Sequence, residues 1–227
     1  MIVPQLGPII QAIAANKKKY VEPFGGGLNM YTSIRHPDKQ AYDINPHLVA
    51  LINGVAAGRS LPDLYDAELY HAARVDRADP VAFDDFTIGA FGFLATYAGR
   101  WFAGFSVRLG GRDYVRERVS NLDRQLAGVP RPLNFEVSAY QDIPVTSDTC
   151  YYLDPPYAGT TGYRDAFEFG PFLAWARDLA SDPSNVVLLS GYEVPEGASV
   201  LAAIPKRVAL SKQVEARRTT TEFLVAL

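Results

Sequence analysis

The stretch Thr149-Cys150-Tyr151-Tyr152-Leu153-Asp154-Pro155-Pro156-Tyr157 concentrates the residue types that could do chemistry. A run of apolar and aromatic residues reads as a buried strand, and the strand ends at a carboxylate. Two prolines then fix two φ angles and remove two N–H donors, so the backbone beyond Asp154 is stiff and offers only carbonyl oxygens. A side-chain acceptor, one or two carbonyl acceptors and a ring on a rigid turn suit a planar ligand with an exocyclic amine. Taken alone, Asp-Pro-Pro is more often a strand-ending turn with a solvated acid, so the decision rests on what precedes it.

Two upstream segments bear on that decision. Tyr20-Val21-Glu22-Pro23-Phe24-Gly25-Gly26-Gly27-Leu28-Asn29 reads as a short strand running into a glycine turn, with a helix following at Met30, Tyr31 and Ile34. This is the order of a first βα unit in a nucleotide-binding fold, where missing side chains let a ligand approach the backbone. The spacing matches neither the G-x-G-x-x-G dinucleotide fingerprint nor a P-loop. Next, Gln40 to Asn45 reads as a second strand, and its terminal Asp43 stands where an acid accepts from ribose hydroxyls in such units. Asn45 is free to cap a helix from Pro46 to Ala57, with Pro46 at its first position.

The elements that position these residues follow from the rest of the pattern. A helix is expected over Gln5 to Asn16, with Lys17, Lys18 and Lys19 as its solvated, cation-favouring end. Between Gly58 and about Ser147 the alternation of strand and helix lapses. Helices are expected at about 66 to 79, at 80 to 98 and over Val115 to Leu126, around an aromatic and glycine-rich segment from Tyr97 to Phe105. From Arg100 to Arg131 seven arginines (100, 108, 112, 116, 118, 124 and 131) face three acids (Asp113, Glu117 and Asp123), a local excess of four positive charges in a chain of net charge −3. Arginines mixed with aromatics and glycines suit phosphate contact and base stacking, although a solvated helix face has the same composition. Thereafter strands are expected at Leu133 to Val137, Cys150 to Leu153 and Asn185 to Ser190, with a helix over Phe167 to Ala180. Arg207 to Leu210 and Glu222 to Leu227 read as a closing antiparallel pair, with Arg217 and Arg218 in the connection.

Composition sets the outer bounds. A chain of 227 residues with 48% hydrophobic content is long enough for one full core, and its charge excludes a uniformly basic surface. A single cysteine, Cys150, cannot form an internal disulfide and reads as a small buried hydrophobe. His36, His47 and His71 are scattered, so no metal site is expected. Without a signal-like start or a long apolar run, the expectation is a cytoplasmic protein with no membrane partner.

In order, a glycine turn, a strand-end acid, a long insertion and Asp154-Pro155-Pro156-Tyr157 resemble the Dam-like DNA adenine-N6 methyltransferases. The phage-type branch of that family is resembled by Glu22 to Gly27, Asp43-Ile44-Asn45, Gly99 to Phe105, and the tail Ala158-Gly159-Thr160-Thr161-Gly162-Tyr163. The likeness runs from about Ile9 to Tyr192. It implies a site-specific, S-adenosyl-L-methionine-dependent enzyme acting on double-stranded DNA, in a setting such as restriction-modification.

The implied fold is a Rossmann-like methyltransferase mixed sheet with an antiparallel C-terminal strand pair and a mainly helical insertion. Residues 1–57 and 132–227 would form the catalytic domain, and 58–131 the target-recognition region. By the same resemblance Asp154, Pro155, Pro156 and Tyr157 are catalytic. Glu22, Pro23, Phe24, Gly25, Gly26, Gly27, Asp43, Ile44 and Asp154 border the cofactor. Arg100, Arg108, Arg112, Tyr163, Arg217 and Arg218 meet DNA.

Two departures accompany the resemblance. The family's Gly-Ser-Lys-type segment is not found among residues 1–19, and Gly191 stands beside Ser190 where the family has a carboxylate, with Glu193 two positions on. The alternatives are a DNA-binding protein with weakened cofactor use, or an amino-methyltransferase acting on cytosine N4 or on RNA.

Overall fold

The computed structural model describes residues 3–156, 167–209 and 217–227, leaving aside the side chains of 206–209 and 217–219. Two compact units make up the chain: Met1–Gly25, Ser33–Ala41 and Ala139–Leu227 form the first, and Gly26–Thr32 with Tyr42–Ser138 the second. This division returns the helix after β2 and the strand at 135 to the helical unit, whereas the sequence places its boundaries near 57 and 132.

The strands are β1 (Lys19–Glu22), β2 (Lys39–Asp43), β3 (Arg108–Leu109), β4 (Arg112–Asp113), β5 (Phe135–Val137), β6 (Thr149–Leu153), β7 (Val186–Gly191), β8 (Ser199–Ala209) and β9 (Arg217–Ala226). Seven of them form one sheet in the order β5-β2-β1-β6-β7-β9-β8. β1 runs parallel to β2 and β6, and β6 parallel to β7, while β9 is antiparallel to both β7 and β8. This is the expected Rossmann-like mixed sheet with its antiparallel C-terminal pair. Every residue of β2 and β6 is buried, as parallel strands covered on both faces must be.

Helix α1 (Val3–Ala14) buries Leu6, Gly7, Ile10 and Ala14 along one side, and the short α2 (Asn29–Ser33) buries Met30 and Tyr31. Of the three lysines after α1 only Lys18 is solvated, its side chain 85% exposed. Lys17 Nζ donates to the Ser184 carbonyl at 2.5 Å, Lys18 pairs with Asp148 at 3.5 Å, and Lys19 already belongs to β1. At the C-terminus the expected short strand pair is instead a long hairpin, and Arg217 and Arg218 lie within β9 rather than in the connection. Pro205 suggests a break in the sequence, yet β8 is the outermost strand, where a proline is tolerated. Helix α7 (Phe169–Ser181) buries Phe172, Ala176 and Leu179.

In the helical unit, α3 (Pro46–Ala56), α4 (Ala67–Asp76), α5 (Asp85–Leu94) and α6 (Tyr114–Leu126) each begin at an Asn or Asp. Asn45, Asp66, Asp84 and Asp113 all accept backbone N–H groups at the starts of these helices, each such cap contributing about 0.5–2 kcal/mol. The core gathers Leu51, Tyr70, Phe86, Phe91 and Phe102. Glycines set the approach of α5. A Cβ on Gly89 would collide with the His47 carbonyl oxygen, and one on Gly92 with the Trp101 ring. Two rings of the 97–105 segment, Trp101 and Phe102, are therefore packed against α5, while Tyr97 stays 60% exposed. Phe102 is buried and Trp101 stacks on His47 at 5.3 Å, so neither ring is offered to a base.

Candidate active site

In the first unit, β6 delivers Asp154 immediately beyond its last ladder residue. Leu153 pairs with Leu189 of β7, so Asp154 falls level with Ser190. Asp154 is half-buried, Pro155 buried and Pro156 half-buried. Ser190, only 1% exposed, lies 2.9 Å through its Oγ from Asp154 Oδ1 and 3.3 Å from the Leu153 carbonyl. The Tyr152 hydroxyl reaches the same Oγ at 3.1 Å. Tyr152 and Asp154 are two residues apart on one strand and so share a face, and Ser190 is their neighbour across the ladder.

The same face carries a second buried acid. Val21 pairs with Tyr151, which sets Glu22 beside Tyr152. Glu22 is 2% exposed, and the Tyr20 hydroxyl donates to its Oε1 at 2.6 Å. Burial pushes the Glu22 carboxyl up to about 8; the Tyr20 bond and the Lys39 charge oppose this, and the Asp154 charge adds to it. Lys39 is itself lowered by burial, with Nζ donating to the Ile34 carbonyl at 2.8 Å. Burial also raises the phenols of Tyr20 and Tyr152, keeping both as hydroxyl donors. Enclosed to this degree, Glu22 presents almost no surface of its own. Cys150, fully buried with its thiol pushed up to about 12, is the inert hydrophobe expected.

Phe24 leaves β1 into a cluster of rings. Its centroid lies 5.5 Å from Tyr140, 5.9 Å from Phe167 and 5.5 Å from Phe172, and Tyr140 lies 4.9 Å from Trp175. Phe24, Tyr140, Phe167 and Trp175 remain partly exposed, an apolar wall able to take a flat ring. Sequence reasoning singles out only Phe24 here. It also misses Tyr152 and Ser190, although a hydroxyl two residues before the acid and a serine closing an apolar strand are legible signals.

Within the helical unit, Gly26 and Asp43 come together. Gly26 N donates to Asp43 Oδ2 and Asn45 N to Oδ1, both at 2.9 Å. Gly26 has φ +49°, and a Cβ there would meet nothing within 4 Å. Ile44 beside them is 64% exposed. A carboxylate has about four acceptor positions. Asp43 thus retains acceptors for hydroxyl donors, next to open backbone and an exposed apolar side chain, a set that fits a nucleoside. Burial raises the Asp43 carboxyl, against the two N–H bonds.

The arginines divide into three kinds. Arg108 pairs with Asp113 at 3.4 Å and lies 4.8 Å over the Tyr65 ring, while Arg112 grips Glu117 with two bonds of 3.0 and 2.7 Å. Arg118 turns inward to the Leu94 carbonyl at 2.9 Å, its guanidinium lowered by burial, and is structural. Arg100, Arg116, Arg124 and Arg131 are exposed. Arg116 and Arg124 line an open recess of about 580 Å³ on α6 with Ser120 and Asn121. Tyr157, Tyr163 and the side chains of Arg217 and Arg218 lie outside the described residues. Among the described residues no cluster of three metal-ligating side chains occurs, and no helix is long and apolar enough to cross a membrane.

No protein-family model and no curated protein matches the chain. Solved structures to which it is similar include two of the rRNA methyltransferase aviRa from Streptomyces viridochromogenes. Each is 14% identical, with 97% of this chain and 83% of that one covered and a TM-score of 0.40. Another is a conserved hypothetical protein from Streptococcus pyogenes, 10% identical, covering 96% of this chain and 93% of that one at a TM-score of 0.34. So remote a likeness adds nothing to the functional argument, which rests on the chain's own residues.

Proposed function

We propose that the protein is an S-adenosyl-L-methionine-dependent methyltransferase acting on N6 of an adenine flipped out of double-stranded DNA. The observation that carries this reading is the Asp154 carboxylate at the end of β6, tied through Oδ1 to buried Ser190 and followed by two prolines whose backbone offers only acceptors. An acceptor-only turn selects a donor, and an exocyclic amine is a planar donor of two hydrogens.

When bound, S-adenosyl-L-methionine supplies an electrophilic methyl group on a sulfonium. The chain's part is to hold the amine. Asp154 accepts one N6–H and the Pro155 carbonyl the other, drawing density toward a nitrogen whose lone pair is otherwise delocalised into the ring. Asp154 is also the acceptor in place for the proton that N6 sheds. Positioning of this kind contributes roughly 7–11 kcal/mol in favourable cases. Tyr157 stacks on the extruded base, offsetting part of the few kcal/mol that unstacking costs. Asp43 receives ribose hydroxyls, with Ile44 as an apolar contact, and the exposed arginines of the helical unit meet phosphates.

The test is methyl transfer from tritiated S-adenosyl-L-methionine to duplex DNA, single-stranded DNA and RNA, followed by nucleoside analysis. Label in N6-methyladenine of duplex DNA is the expected result. Label in cytosine or in RNA replaces the substrate. DNA binding without any transfer identifies a binding protein on the same fold.

A further inference from the structure

We propose that Ser190 and Tyr152 are positioning residues for Asp154, acting in series: Tyr152 donates to Ser190, and Ser190 donates to Asp154 Oδ1. The inference rests on the reading of Asp154 as the group that holds the target amine.

The direction of the chain follows from its end. An ionised carboxylate only accepts, so the Ser190 hydroxyl must donate across the 2.9 Å to Oδ1. A serine has one hydrogen. The Leu153 carbonyl, at 3.3 Å, is the longer and neutral competitor, and a bond to a charged acceptor is the stronger. Once Ser190 donates to Asp154, its oxygen faces Tyr152 as an acceptor, and the phenol at 3.1 Å must be the donor. Burial of Tyr152 keeps that phenol protonated, which maintains the direction.

The placement argues for more than routine satisfaction of polar groups. Ser190 and Tyr152 are 1% and 3% exposed, on a sheet face where Leu188 and Leu224 are apolar and the buried Glu22 and Tyr20 satisfy each other. A buried hydroxyl costs free energy that an apolar residue of similar shape does not. Two hydroxyls here serve to fix the rotation of one carboxylate. The Gly191 that follows carries no charge to compete for Ser190.

The experiment is single-turnover methyl transfer from tritiated S-adenosyl-L-methionine to a duplex oligonucleotide, measured from pH 5 to 9. Wild type is compared with Ser190→Ala, Tyr152→Phe, the double variant and Ser190→Thr, with thermal melting of each. Ser190→Ala is expected to slow transfer about 10- to 100-fold, the equivalent of one charge-assisted hydrogen bond, with Kd for both substrates unchanged. Its acid limb should move to higher pH, because a donor to the ionised acid is gone. Tyr152→Phe should slow transfer by about 2- to 10-fold, and the double variant should be no slower than Ser190→Ala, since the phenol acts only through the serine. Ser190→Thr, which keeps the hydroxyl, should recover most of the rate.

Losses that multiply in the double variant, or an acid limb that does not move, overturn the relay. So does a fully active Ser190→Ala. Tyr152→Phe removes one oxygen and keeps the ring, so it decides the matter even where a serine variant folds poorly. A wild-type chain inactive on every nucleic acid overturns the reading itself, and that outcome is recognised before any variant is made.

Discussion

Replacing Glu22 by Gln should stabilise the protein at alkaline pH and flatten its pH dependence. Glu22 is held in its neutral form, its carboxyl raised from the ordinary 4.5 to about 8 mainly by burial. Between those two values the folded chain carries a proton that the unfolded chain releases. Stability from this group is therefore complete below pH 4.5 and is lost as pH rises through about 8. The loss is about 1.4 kcal/mol per pH unit, so over this window it accumulates to about 3–5 kcal/mol once relaxation of the site is allowed for. Gln cannot titrate, but its carbonyl oxygen still accepts the Tyr20 hydroxyl that bonds Glu22 at 2.6 Å. The groups that face Glu22 are Tyr20, Asp154 and Lys39; both phenol and lysine keep their partners in the variant. The assay is urea unfolding of wild type and Glu22→Gln from pH 4.5 to 9, read as a difference in midpoint at constant m. The difference should start near zero, grow with pH and level off above pH 8. Parallel curves, or a wild type that gains stability relative to the variant as pH rises, would show that Glu22 is ionised in the folded state.

Three further outcomes are expected. Asp154→Ala should abolish methyl transfer while S-adenosyl-L-methionine still binds in calorimetry; full activity on DNA would remove Asp154 from the chemistry. Arg116→Ala or Arg124→Ala should weaken DNA binding and reduce the salt slope by about one, whereas Arg118→Ala, whose guanidinium caps interior carbonyls, should lower the melting temperature and leave the slope unchanged. Gly89→Ala should cost about 1–3 kcal/mol in urea unfolding, because the added methyl runs into the backbone of His47 on α3; an unchanged midpoint would mean that α3 and α5 separate without penalty.

What the sequence discloses depends on how local the cause is. Helix starts at Asn45, Asp66, Asp84 and Asp113 are settled by a side chain two or three residues from its acceptor's partner, and Asn45 as a cap is legible for that reason. The parallel strands are equally legible, because burial on both faces demands unbroken apolar runs such as Cys150 to Leu153. β8 and β9 are longer than their composition suggests. Their pairing from Ser199 with Ala226 to Ala209 with Arg217 is set by the partner strand, not by apolar content. The arginines fail for a related reason. Composition counts Arg108, Arg112 and Arg118 as equal positive charges, but Asp113 lies five residues from Arg108, Glu117 five from Arg112, and the Leu94 carbonyl far away in sequence from Arg118. The rings of Trp101 and Phe102 are withdrawn by α5 in the same way, through glycines that only a packed helix explains.

The buried face beneath Asp154 has one further consequence. The Asp154 charge adds to the upward push on the Glu22 carboxyl, because like charges in a poorly solvated space resist ionising together. The protein meets this by giving the two acids different partners. Glu22 is enclosed, takes one phenol and keeps its proton; Asp154 stands at the open end of the strand and takes the Ser190 hydroxyl. Burial thus keeps the proton on Glu22, and on the proposed reading Asp154 is the acid that accepts the amine. On the proposed reading, the glutamate of the Glu22-Pro23-Phe24 stretch serves transfer by being neutral. A substitution that puts a permanent dipole there, Glu22→Gln, should preserve activity, whereas Glu22→Lys, which places a cation beside Lys39 in the same buried row, should destroy the fold before it tests the chemistry.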